Sequence, residues 1–105
     1  MPVDLGTINE YSGCIITCTF TTVTGGTATP TATSYRLDND TDGTNIIPDG
    51  TAFTPPTITI PGTENQLTGN VSKLFRLTVK WTDTATTLVN YSDCTYTVLP
   101  LRYVP

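Results

Sequence analysis

Residues 73–81 read KLFRLTVKW, with Phe75, Leu77, Val79 and Trp81 at one set of alternate positions and Arg76, Thr78 and Lys80 at the other. Successive side chains of an extended strand point to opposite faces of a sheet, so this period of two describes a strand with one apolar and one solvated side. A helix would need apolar residues three and four apart, and no stretch of a dozen residues in the chain has that spacing. The same alternation recurs on either side. Upstream, CIITCTF sets Cys14, Ile16, Cys18 and Phe20 against Ile15, Thr17 and Thr19; downstream, Cys94, Tyr96 and Val98 face one way and Asp93, Thr95 and Thr97 the other.

Shorter strands fill the intervals. They are expected at about Ala32 to Leu37, at Thr44 to Ile47 with Pro48 as the stop, at Thr57 to Ile60 before Pro61 and Gly62, and at Thr87 to Tyr91 ahead of a last strand from Asp93 to Leu99. Loops are expected at TGGTATPT (24–31), at DNDTDG (38–43), over Thr63 to Ser72 and at Thr82 to Thr86, where Gly, Pro, Asn and Asp accumulate. Prolines at the ends of short strands mark edge positions that resist sheet-to-sheet pairing. About seven strands at this spacing with no helix between them predict an all-β fold: two packed antiparallel sheets forming an immunoglobulin-like sandwich.

The chain has 105 residues, close to the commonest size of one domain. The pattern divides it into a sandwich over 14–99, an N-terminal arm over 1–13 and a C-terminal tail over 100–105. One or both ends are expected to be extended arms that order by adding to, or lying along, a neighbouring subunit. Charged residues make up 13% of the chain whereas Thr alone occupies 25 positions, so the surface is built from hydroxyls on stiff β-branched side chains. With a net charge of -4 and five scattered basic residues, the electrostatic footprint of a nucleic-acid binder is missing. No apolar run is long enough to span a membrane, and MPVDLGTINEYSG has neither the basic nor the apolar section of an export signal. The sequons at Asn39, Asn70 and Asn90 are expected to be chance products of a Thr-rich chain.

Cys14 and Cys18, four apart on one strand, stand about 13 Å apart and cannot bond each other. Either could reach Cys94 across a sandwich. Three thiols without a signal segment suit a reducing compartment, where they act as small apolar side chains. There is no His and no CxxC pair, so a zinc site lacks its ligands and the usual general base near neutral pH is missing. No catalytic residue, no cofactor and no enzymatic activity are expected. Asp38, Asp40, Asp42 and Gly43 do follow the spacing of a calcium loop, with Asp49 at its twelfth position. Strand flanks, Asn45 at the usually apolar eighth position and Asp in place of a longer Glu favour a hairpin turn instead. Arg76, Thr78 and Lys80 share the outward side of the 73–81 strand and are the candidate patch for an acidic partner.

CIITCTF with its Gly-containing loop, TPTATSYRLDNDTDGTNI with its polar turn, and FRLTVKWTD followed by CTYTVLPL together resemble the small immunoglobulin-like or fibronectin-III-like structural proteins of tailed bacteriophages. The resemblance spans Cys14 to Leu101 and departs from that family in its three cysteines, which such a fold does not need. It implies a virion structural protein made in the host cytoplasm and held in multiple copies by other virion proteins. Capsid decoration is the first expectation, a neck, connector or tail place the second. A carbohydrate or cell-surface recognition module is the reading from another class; it would want exposed aromatics, for which Tyr11, Tyr91 and Tyr103 are available.

Overall fold

A computed structural model describes residues 3–21 and 26–101. Its strands are β1 (Val3–Asn9), β2 (Cys14–Thr17), β3 (Pro30–Asn39), β4 (Thr44–Ala52), β5 (Thr57–Ile60), β6 (Lys73–Asp83) and β7 (Val89–Leu99), with a single 3-10 turn at Gly62–Glu64. They form a five-stranded sheet in the order β1-β7-β6-β3-β4 and a two-stranded sheet of β2 and β5. The apolar sides of the two sheets face each other, as in a sandwich.

The KLFRLTVKW stretch lies within β6, the middle strand of the large sheet, and its alternation matches the burial: Phe75, Leu77, Val79 and Trp81 are buried, and Arg76, Thr78 and Lys80 are not. Tyr35 and Leu37 from β3, Ile47 from β4, Ile58 and Ile60 from β5, and Tyr96 and Val98 from β7 complete the core together with Ala28. Each fully buried aliphatic or aromatic side chain contributes about 1.5–3 kcal/mol relative to exposure. Cys14, Ile16, Cys18 and Phe20 close the core from the β2 side, with the Phe20 ring edge-on to Trp81 at a centroid distance of 5.1 Å.

Four expectations change. Residues 3–9, expected in an arm, form a strand of the main sheet, and β1 runs parallel to β7, so the large sheet is mixed rather than wholly antiparallel. The segments expected as two strands at Thr87 to Tyr91 and Asp93 to Leu99 are one strand, continuously paired with β6 from Val89 to Val98. β4 does not stop at Pro48 but continues to Ala52. It can do so because it is an edge strand, where a missing N–H interrupts no ladder on the open side, and its pairing with β3 slips in register around Leu37. Residues 102–105 of the C-terminal tail lie outside the described residues, as do Thr24 and Gly25 of the Gly-containing loop.

A polar knot ties the strands at one end. Asn65, whose exposure is 0%, lies just past the 3-10 turn. Its carboxamide accepts from the Tyr96 hydroxyl at 2.7 Å and donates to the Ser12 carbonyl at 2.8 Å, while its own carbonyl accepts from Tyr11 N at 2.9 Å. Beside it, the buried Glu10 carboxylate accepts from Leu101 N at 2.8 Å, and Glu10 N donates to Leu99 O at 2.8 Å. Among the described residues, every buried side-chain nitrogen and oxygen has a partner, as burial of polar groups requires.

Candidate binding surfaces

The outward side of the large sheet carries Arg36, Asp38, Arg76, Lys80 and Asp93. Antiparallel register sets Asp38 of β3 directly opposite Arg76 of β6 and Thr78 opposite Asp93 of β7. Arg36 grips Asp38 through both Nε and Nη2, at 2.9 and 2.8 Å, and Asn45 donates to the same carboxylate at 3.1 Å. The Arg36 hydrogen bonds hold the Asp38 carboxyl below its usual range, against the opposing effect of partial burial. Arg76 bridges two carboxylates, Asp93 at 2.6 Å and Asp40 at 3.0 Å, and Lys73 takes Asp42 at 2.8 Å. Lys80 stands over the Tyr91 ring, 5.9 Å from its centroid.

These pairings show where each candidate from the sequence lies. Asp38, Asp40 and Asp42 are drawn to three different cations, and Asp49 sits beyond Pro48 on β4, so the four carboxylates of the calcium spacing do not gather into one cage. Among the described residues no group of three Cys, Asp or Glu side chains is placed to hold a metal ion. The turn is organised by Asn39 instead, whose side-chain oxygen accepts from Asp42 N at 3.0 Å and whose carbonyl accepts from Gly43 N at 2.8 Å. That buried Asn39 is also the first of the three sequons. Arg76, Thr78 and Lys80 do share the outward face, but Arg76 is already shared between two carboxylates of its own chain. The face presented is of mixed sign rather than a bare cationic patch. Strand alternation reveals which residues point outward but not which strand lies next to which, so the Arg76 and Lys73 pairs have no linear signal, whereas Arg36 and Asp38, two apart on β3, do.

Sequence reading of exposed aromatics is met at Tyr91, which is 66% exposed and borders a shallow hollow with Thr78, Ser92 and Asp93. Tyr11 is half-buried, and Tyr103 lies outside the described residues. Leu88 and Val89, at the tip of the β6–β7 hairpin, add apolar surface that period-two reasoning did not single out.

Cys14, Cys18 and Cys94 are all free and only partly buried. Burial pushes the Cys94 thiol from 9.0 up to about 11, with nearby Cys18 adding to the rise, and burial raises Cys14 and Cys18 as well. A two-unit rise lowers the thiolate fraction at neutral pH about 100-fold. Iodoacetamide at pH 7.5 is therefore expected to alkylate Cys94 about 100-fold more slowly in the native than in the unfolded chain; equal rates would show the thiol to be unperturbed. Because the folded value lies above the unfolded one, the neutral thiol's contribution to stability is present below pH 9 and is lost as the pH rises through about 11.

A seam between β1 and β2 opens into a hollow of about 350 Å³ floored by Leu77, Val79, Trp81 and Cys94 and walled by Val3 and Leu5 on one side and Ile16, Cys18 and Phe20 on the other. A smaller hollow of about 190 Å³ extends the same seam past Ile8, Cys14 and Tyr96. Val3 shares a register position with the core-facing Cys94, yet Val3 and Leu5 are 63% and 49% exposed because the two-stranded sheet does not reach over them. Comparison of the chain with protein-family models, with curated proteins and with solved structures finds no match.

Proposed function

We propose that the chain is an immunoglobulin-like virion protein of a tailed phage that works by protein–protein assembly, as a capsid decoration or auxiliary head protein, with a neck, connector or tail place as the nearest variant. What supports the fold half of this reading is the strand order. β2 and β5 make one sheet while β3, β6 and β7 make the other with β4 beside β3, which is the crossing pattern of the B–E and C–F–G strands in immunoglobulin sandwiches. The functional half is carried by one observation: the guanidinium groups of Arg36 and Arg76 on the outer face are engaged within the chain, whereas apolar side chains are left uncovered along the β1–β2 seam and at the β6–β7 tip. Uncovered apolar surface of this kind marks contact with another macromolecule. Purified chain mixed with phage heads is expected to sediment with them at a fixed, saturable copy number; recovery in the supernatant alone would remove the virion reading.

A second reading, carbohydrate or cell-surface recognition, is favoured by the Tyr91 hollow, where an exposed ring adjoins the hydroxyls of Thr78 and Ser92 and the Asp93 carboxylate. Glycan-array binding that disappears in Tyr91→Ala would select this reading, and particle binding that survives Tyr91→Ala would select the first.

A further inference from the structure

A sandwich with two open sheets has four edges, here β1 and β4 of the large sheet and β2 and β5 of the small one. Exposed edges template unwanted pairing, and proteins blunt them with prolines, charges or bulges. Three of these four edges carry such a device. β4 contains Pro48 and slips register against β3. β5 is flanked by Pro55, Pro56 and Pro61. β1 breaks register between Asp4 and Thr7, with Gly6 at φ +102° and the Asp4 carboxylate occupying the Gly6 N–H at 2.9 Å.

β2 carries none. Its four residues, Cys14 to Thr17, contain no proline and no charge, and they pair with β5 without interruption. The Cys18 N–H reaches back to Pro56 O at 2.7 Å, so the residues of its parity, Cys14 and Ile16, turn their backbone groups toward β5. Those of Ile15 and Thr17 therefore point the other way, toward the seam. Ile15 itself is 70% exposed.

We propose that the β1–β2 seam is a strand-accepting site: one extended segment of another polypeptide, apolar at alternate positions, pairs with the Ile15 and Thr17 backbone and lays its side chains over Val3 and Leu5. Such strand addition takes affinity from main-chain hydrogen bonds and selectivity from pockets for alternate side chains. The occupant is a single segment rather than a second copy of the sandwich. β1 stands across the seam from β2, so an approaching sheet edge, two strands or more in width, would meet β1. Globule-to-globule contacts need about 800 Å² from each partner, whereas this opening is a slot about 20 Å long between Cys14 and Phe20 at the usual rise per residue. The slot suits an uncharged apolar face, because the one ionised side chain in its described lining, Asp93, is already held by Arg76.

This inference rests on the reading of the chain as an assembly protein, and its test separates the two. The whole chain is titrated with a capped eight-residue peptide alternating Val and Thr, while amide exchange is followed by NMR. At saturation the Ile15 and Thr17 amides are expected to exchange at least tenfold more slowly, and Leu5→Lys or Val3→Lys, at positions exposed enough to keep the fold, is expected to abolish the effect. Unchanged exchange at millimolar peptide, or equal binding by both Lys variants, would overturn the site. If the parent shows no peptide effect and the Lys variants sediment with phage heads as the parent does, the seam proposal fails while the assembly reading stands. If the parent shows the peptide effect but binds no particle, the seam stands and the virion reading fails.

Discussion

Gly62→Ala is expected to cost the fold about 3 kcal/mol, in the range that steric overpacking reaches when nothing can yield. A Cβ at position 62 would land on the carbonyl oxygen and carbon of Tyr11, with Gly13 N 3.3 Å away. All of these are backbone atoms, so no side chain can swing aside. Either the turn after β1 or the 3-10 turn after β5 must move, and both are held by Asn65. Gly43→Ala is the control. Gly43 sits at φ +73° with nothing within 4 Å of its would-be Cβ, so only the left-handed backbone penalty of about 1–2 kcal/mol applies. Urea denaturation of both variants decides the matter. A Gly62→Ala no less stable than Gly43→Ala would mean that the two turns do not approach as closely as described.

What the sequence disclosed, and what it hid, follows from which signals are local. KLFRLTVKW announced itself because β6 is covered on one side along its whole length. β1 did not, because its inward residues change parity: Val3 and Leu5 are odd-numbered, the register slips at Gly6, and Ile8 then faces the core. A period-two reading sees no strand across such a slip. β7 looked like two strands because its early inward positions, Asn90 and Ser92, are polar; they lie toward the end where the small sheet gives little cover. The carboxylates of DNDTDG were legible as a motif, and the Arg36 partner of Asp38 lies two residues away on the same face of β3, but Arg76 and Lys73 are brought to Asp40 and Asp42 by cross-strand register and by a turn that folds onto the start of β6, where Asp40 N donates to Leu74 O at 2.8 Å. The seam could not be read at all. It depends on how far the two-stranded sheet reaches, a property of packing rather than of any local pattern.

Asn65 is the plainest case of a residue the sequence conceals, a polar side chain in a polar loop that is wholly buried. Asn65→Ala is expected to cost about 3 kcal/mol, because it strands two groups at once: the Tyr96 hydroxyl loses its acceptor and the Ser12 carbonyl loses its donor. Tyr96→Phe removes only one hydrogen bond and is expected to cost about 1 kcal/mol. The two costs are not independent. Once Asn65 is gone, replacing the orphaned hydroxyl by hydrogen relieves a desolvation penalty, so Asn65→Ala/Tyr96→Phe is expected to be about 1 kcal/mol more stable than the sum of the single losses predicts. The same burial raises the Tyr96 phenol above its usual value, so its neutral form favours the fold until the unfolded phenol begins to ionise, and stability falls as the pH climbs beyond about 10. In Tyr96→Phe that alkaline slope is expected to be shallower. Strict additivity in the cycle, together with an unchanged slope, would mean that Asn65 and Tyr96 do not share a hydrogen bond, and the knot that joins the β1–β2 turn to β7 would have to be attributed to Glu10 and the close approach at Gly62 alone.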